Sequence, residues 1–132
     1  MSLFSQKVVF SEVKGVLVDK GKPVEGAEVE RTFHMAMGDK KETDRTRTDA
    51  SGRFFFARIT KSTGLIGVLP HEPVIGQNIV IRVGGKEYMA WQYVKHDYAD
   101  NGELDGKPID LICDLAVEPA RNGGVYGICH FQ

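Results

Sequence analysis

The residues with the most chemical potential gather at 96–105, where His96, Asp97, Asp100, Glu103 and Asp105 crowd oxygen and imidazole donors into one short stretch. Calcium wants roughly six to eight oxygen ligands. The stretch lacks the D-x-[DN]-x-[DN]-G spacing of a calcium loop, so the sequence predicts a solvated acidic loop and no metal site. Cys113 and Cys129 are the only thiols. Cys129 and His130 could form a thiolate-imidazole pair, but adjacent residues of a strand point to opposite faces, so none is expected. Both cysteines fall on the apolar parity of their segments and could face each other across a core if those strands are neighbours. The expectation is buried reduced thiols, cysteine being a common small core residue.

The elements that must position these groups read as strands. In 26–34, Ala27, Val29 and Phe33 share one face while Glu28, Glu30, Thr32 and His34 share the other. In 109–118, Ile109, Leu111, Cys113, Leu115 and Val117 line one side. Further strands are expected at 13–18, 43–48, 53–59, 78–83, 87–94 and 125–131, bounded by turn-forming residues. Gly84-Gly85 reads as a tight hairpin. Longer irregular pieces fall at 36–42, 61–77 and 95–108. No stretch carries helical spacing, so the fold class is all-β, a single antiparallel β-sandwich of about seven to nine strands.

Composition narrows the class further. The chain has 132 residues, 17 basic against 18 acidic, and a formal net charge of -1. That size fits one domain over 1–132. A near-neutral balance argues against nucleic acid, which calls for a basic excess. No apolar run approaches membrane-spanning length. The amino terminus, interrupted by Ser5, Gln6, Lys7, Ser11 and Glu12, shows no leader pattern, and the expected compartment is cytoplasmic.

Two motifs give the fold a sharper outline. Gly21, Pro23, Val24, Gly26, Ala27 and Val29 form G-x-P-V-x-G-A-x-V, and Thr48, Asp49, Gly52, Phe54 and Phe56 form T-D-x-x-G-x-F-x-F. With Gly15 and Val16 opening the first strand, the segment 12–59 resembles the carboxypeptidase regulatory-like domain, a transthyretin-like sandwich of immunoglobulin-like character found in many bacterial proteins. The resemblance implies a structural framework, with 60–132 adding strands and loops in a specialised bacterial relative. The first motif is also similar to part of the intradiol dioxygenases, which hold ferric iron with tyrosines and histidines. Tyr88, Tyr93, Tyr98, Tyr126, His34, His71, His96 and His130 do not fall in that family's close pattern. The carboxyl-terminal residues Ile128 to Gln132 do not match the tail of transthyretin-like hydrolases. Lys14 has no asparagine in the last strand to join it in an isopeptide bond of the adhesin type.

Apolar residues on both strand parities carry the functional expectation. Phe54 and Phe56 oppose Phe55, Ala57 and Ile59, while Met89, Trp91 and Tyr93 oppose Tyr88 and Ala90. One face cannot bury them all, and exposed aromatic patches mark partner sites. The expectation is a noncatalytic bacterial protein-interaction module with Phe55, Met89, Trp91 and Tyr93 as its contact surface. Its partner is expected to be another protein, of the kind an accessory or immunity-type chain meets in a secreted effector; a homodimer through an edge strand is an alternative. No catalytic residue, metal ligand or cofactor is assigned. Competing readings are a carbohydrate or cell-wall-binding module and a small metal-dependent enzyme.

Overall fold

The computed structural model describes residues 6–62 and 70–132. Positions 63–69 of the expected 61–77 loop lie outside the described residues. The alternation of apolar and polar residues produces an almost entirely β chain, whose strands are β1 (Gln6–Phe10), β2 (Val13–Asp19), β3 (Lys22–Pro23), β4 (Glu28–Met35), β5 (Lys40–Arg47), β6 (Arg53–Phe56), β7 (Ile59–Ser62), β8 (Ile75–Val83), β9 (Lys86–Lys95), β10 (Ile109–Asp114), β11 (Ala120–Asn122), β12 (Val125–Gly127) and β13 (Cys129–Phe131). Among the described residues, one short 3-10 turn spans Gly102–Leu104. Among the described residues, no helix is long and apolar enough to cross a membrane.

These thirteen strands form three sheets, where the sequence suggested a single sandwich of seven to nine strands. A five-stranded sheet runs β13-β10-β2-β3, with β6 also on β2; a six-stranded sheet runs β11-β12-β9-β8-β4-β5; β1 pairs with β7. All pairings are antiparallel except β10 with β2, which run parallel from Val13↔Ile109 to Val18↔Asp114. The inner faces of the two large sheets supply one core. Val13, Leu17, Phe54, Phe56, Ile109 and Leu111 come from the first, and Val29, Phe33, Ile79, Ile81 and Trp91 from the second.

Three expected strands are cut short or divided. The segment 109–118 stops at Asp114, whose Oδ1 accepts the Ala116 amide at 2.9 Å and turns the chain. The segment 53–59 splits between β6 and β7, which belong to different sheets. The segment 125–131 likewise passes from the six-stranded to the five-stranded sheet at Ile128, whose amide donates to the Met89 carbonyl at 2.9 Å.

The two sequence motifs act as braces. Asp49 Oδ1 accepts the Ser51 and Arg53 amides, each at 2.9 Å, closing the turn that launches β6. Gly52 sits in that turn at φ 78°, and a Cβ there would lie 2.3 Å from the Leu17 carbonyl oxygen, so only glycine fits. Thr48 Oγ1 accepts the Ala27 amide at 2.9 Å, tying the two motifs together. Gly84 and Gly85, both at positive φ, make the expected hairpin between β8 and β9.

Candidate functional site

A bulge decides where the four expected contact residues go. Between Ile79↔Trp91 and Val80↔Met89 the register of β8 and β9 slips by one residue at Ala90. One extra residue reverses the facing of everything beyond it. Met89 therefore lies on the outer face with Val80, half-buried, while Trp91 and Tyr93 turn inward with Ile79 and Gln77. Trp91 is 0% exposed, a core residue and not a contact residue. Its ring packs against Tyr93 and Phe131 at centroid distances of 5.8 and 6.2 Å. Phe55, 49% exposed, stands alone on the outer face of the five-stranded sheet. The structure thus brings only Trp91 and Tyr93 together, in the interior.

Around Phe55 the sheet forms a groove of about 620 Å³ whose lining includes Lys14, Val16, Arg47, Arg53 and Asp110. The register places Phe55 beside Lys14 and Lys14 beside Asp110, with a second row of Arg53, Val16, Ile112 and His130 next to it. Gln132 Nε2 donates to Asp110 Oδ1 at 3.0 Å. This is an aromatic ring set among half-buried aliphatic side chains and charges of both signs.

A second constellation is polar and buried, and sequence reasoning missed it. Trp91 Nε1 donates to Gln77 Oε1 at 3.0 Å, and Gln77 Nε2 donates to Glu103 Oε2 at 2.9 Å and to the Val9 carbonyl at 3.0 Å. The Ser11 hydroxyl donates to Glu103 Oε1 at 2.7 Å, and the Ser11 amide to Oε2 at 3.0 Å. Lys95 Nζ, fully buried, donates to the Ala99 carbonyl at 2.6 Å and to Asp97 at 2.8 Å, and lies 3.4 Å from Glu103. Far from being solvated throughout, the acidic loop sends the Glu103 side chain wholly into the interior. Burial pushes the Asp97 carboxyl up, but hydrogen bonds from Lys95 and the Ala99 amide, with the charges of Lys95 and His96, hold it below its ordinary value. Tyr93 is pushed up by burial and by the carboxylates of Asp97, Glu103 and Asp105. The signal overlooked was Lys95 itself. Read past the bulge, it falls on the inward parity of β9.

The remaining candidates are dispersed. His34 bonds Asp39 at 2.6 Å, His71 bonds the Tyr98 hydroxyl at 2.8 Å, and His96 Nδ1 lies 3.2 Å from the Pro73 carbonyl oxygen. Among the described residues, no three His, Cys, Asp or Glu side chains converge as a metal site. The reduced-thiol expectation is overturned. Cys113 and Cys129 face each other directly on β10 and β13, and their sulfurs are joined in a disulfide with a Cα separation of 4.0 Å. The two strands are neighbours, the condition under which the sequence allowed the cysteines to meet.

No curated protein and no solved structure matches the chain. A family model does, and it spans residues 13–118, from the start of β2 to just beyond β10, so that both large sheets fall mostly within it. The chain belongs to the family described as domain of unknown function DUF6795.

Proposed function

We propose that this chain is a noncatalytic protein-interaction module that docks its partner on the outer face of the five-stranded sheet, around Phe55. The observation that carries the reading is the half-exposed Phe55 ring in a groove with Lys14, Val16 and Arg53. An exposed phenylalanine beside Arg47 and Arg53 brings together residue types enriched at protein interfaces. The frame is a specialised bacterial carboxypeptidase regulatory-like sandwich, a reading supported by the Thr48-Asp49-Gly52 turn and by the shared core between two sheets. A secreted effector protein suits the module as partner. The disulfide favours an oxidising compartment over the cytoplasm, because reducing pools keep cytosolic thiols apart.

The test is co-purification from the native host with wild type, Phe55→Ala and Phe55→Arg, alongside thermal melting. The expected result is one protein retained by wild type, weakened by Phe55→Ala and lost with Phe55→Arg, at unchanged melting temperature. Retention of the same partner by Phe55→Arg would sink the reading. Sedimentation of the purified chain distinguishes a second copy as the occupant.

A further inference from the structure

The segment 125–131 crosses from one large sheet to the other, and its two halves are held very differently. Up to Ile128 it is anchored by burial. Val125 and Ile128 are 5% and 3% exposed, and β12 lies between β11 and β9. Beyond Ile128 the hold is thin. Among the described residues β13 pairs only with β10, through Leu111↔Phe131, Ile112↔His130 and Cys113↔Cys129, and it forms the end of its sheet. None of its three residues is fully buried. What fastens it is covalent, the disulfide from Cys129 to Cys113.

What β13 covers is out of proportion to that hold. The Phe131 ring packs on the ring of Trp91 at 6.2 Å, and Trp91 is the single tryptophan of the chain. Gln132 follows, its amide donating to the Asp110 carbonyl at 2.9 Å and its Nε2 to Asp110 Oδ1 at 3.0 Å. Gln132 and Asp110 both line the groove around Phe55, where Asp110 neighbours Lys14. One short run, Cys129 to Gln132, therefore joins the disulfide to the docking surface.

We propose that the Cys113–Cys129 disulfide is a redox latch: a dithiol reductant opens it, β13 lifts from β10 beyond Ile128, and the Phe55 groove loses Gln132 from its lining, so that docking there fails. The effect on docking rests on the Phe55 reading; the release of the strand does not. The exchange passes two electrons from the dithiol to the protein. A thiolate of the reductant attacks the Cys129 sulfur, the S–S bond breaks, and Cys113 leaves as a thiolate that takes up a proton; the second thiol of the reductant then displaces Cys129 as a thiol and closes its own disulfide. Cys113 is 0% exposed and Cys129 only part-buried, so Cys129 is the sulfur that meets the reductant. Once the bond is cut, a three-residue edge strand without a fully buried side chain opens locally, while the anchors up to Ile128 keep the rest in place. The Asp110 carboxylate, relieved of Gln132, is left beside Lys14.

Amide hydrogen exchange and tryptophan emission of the whole chain, oxidised and after dithiothreitol, test the latch. The expected result is exchange about tenfold or more faster at 129–132 in the reduced chain, with β8 and β9 still protected. Trp91 emission shifts to the red and opens to acrylamide quenching, and reoxidation with oxidised glutathione reverses both changes. Cys113→Ala combined with Cys129→Ala shows the released pattern without reductant and no response to it. The protein that co-purifies with the oxidised chain through Phe55 is lost on reduction. Unchanged exchange at 129–132 on reduction, loss of protection throughout β8 and β9, or a reduced chain with a freed β13 that holds the partner as before overturns the proposal. Retention of that partner by oxidised Phe55→Arg strikes the docking reading instead, and leaves the release of β13 to stand on exchange alone.

Discussion

Two buried cations on the inner face of the same sheet are accommodated in opposite ways. Arg31, 2% exposed, lies between the rings of Phe10 and Phe56, its guanidinium carbon 5.0 and 4.6 Å from their centres. Among the described residues its one carboxylate is Asp44, bonded through Nε at 3.0 Å and through Nη2 at 2.8 Å, while Nη1 has no partner there. Among the described residues Lys95 has no ring above it, and it is caged by oxygen from Asp97, Ala99 and Glu103. The difference follows from the ions. Guanidinium is planar and weakly hydrated, so aromatic faces substitute for water; ammonium is a compact charge that must keep oxygen around it. The segment Val9 to Ser11 serves both, giving Phe10 to the arginine and the Val9 carbonyl and Ser11 to the network around Glu103.

The two sites also differ in what a lost partner leaves behind, and that is where the comparison can be broken. Lys95→Met strands the fully buried Glu103 and should destabilise the chain by about 3–5 kcal/mol, read by urea unfolding. The double variant Lys95→Met with Glu103→Gln should recover part of this loss; full additivity would mean the pair does not act as a unit. Arg31→Met leaves only Asp44, about half exposed and able to hydrate, so its cost should be smaller, no more than about 2 kcal/mol. An Arg31→Met loss equal to that of Lys95→Met would remove the distinction.

Acid should sharpen the contrast. Asp97 is held below its ordinary value when folded, so its stabilising contribution is full above the unfolded carboxyl range near pH ~4 and fades as pH falls through the lower folded value. Asp97→Asn should flatten that limb of the stability profile, and Arg31→Met should leave it in place. The smallest stability effect belongs to Phe55→Ala, less than about 0.5 kcal/mol by chemical unfolding, because the half-exposed ring supports neither cation site.

What the sequence revealed divides along the same line. Strands β4, β8 and β10 were legible because apolar residues alternate there, and the Asp49 turn because its chemistry is local. Arg31 was passed over in the very strand whose other inward residues, Ala27, Val29 and Phe33, were identified; a charge at an inward position carries no hydrophobic signal, and its aromatic cover comes from β1 and β6. The bulge at Ala90 was equally silent, since both Ala90 and Trp91 are apolar and buried. It alone moved Met89 to the opposite face from Trp91 and Tyr93. Glu103 lies 92 positions from Ser11, and no local pattern announces a partnership at that range. The disulfide was half legible. The shared parity of Cys113 and Cys129 was visible, but their adjacency depends on β13 leaving the sheet of β12.

The parallel pairing of β2 with β10 has a consequence for how the chain is made. Val13 meets Ile109 across 96 positions, so one edge of β2 stays open until the chain has been synthesised past β10. Closing so long a loop comes before the contacts that reward it, which slows folding and leaves a strand edge open to foreign pairing in the meantime. The hairpin of β8 and β9 can form early on local contacts. The five-stranded sheet, and with it the surface around Phe55, becomes complete only after β13 has docked on β10.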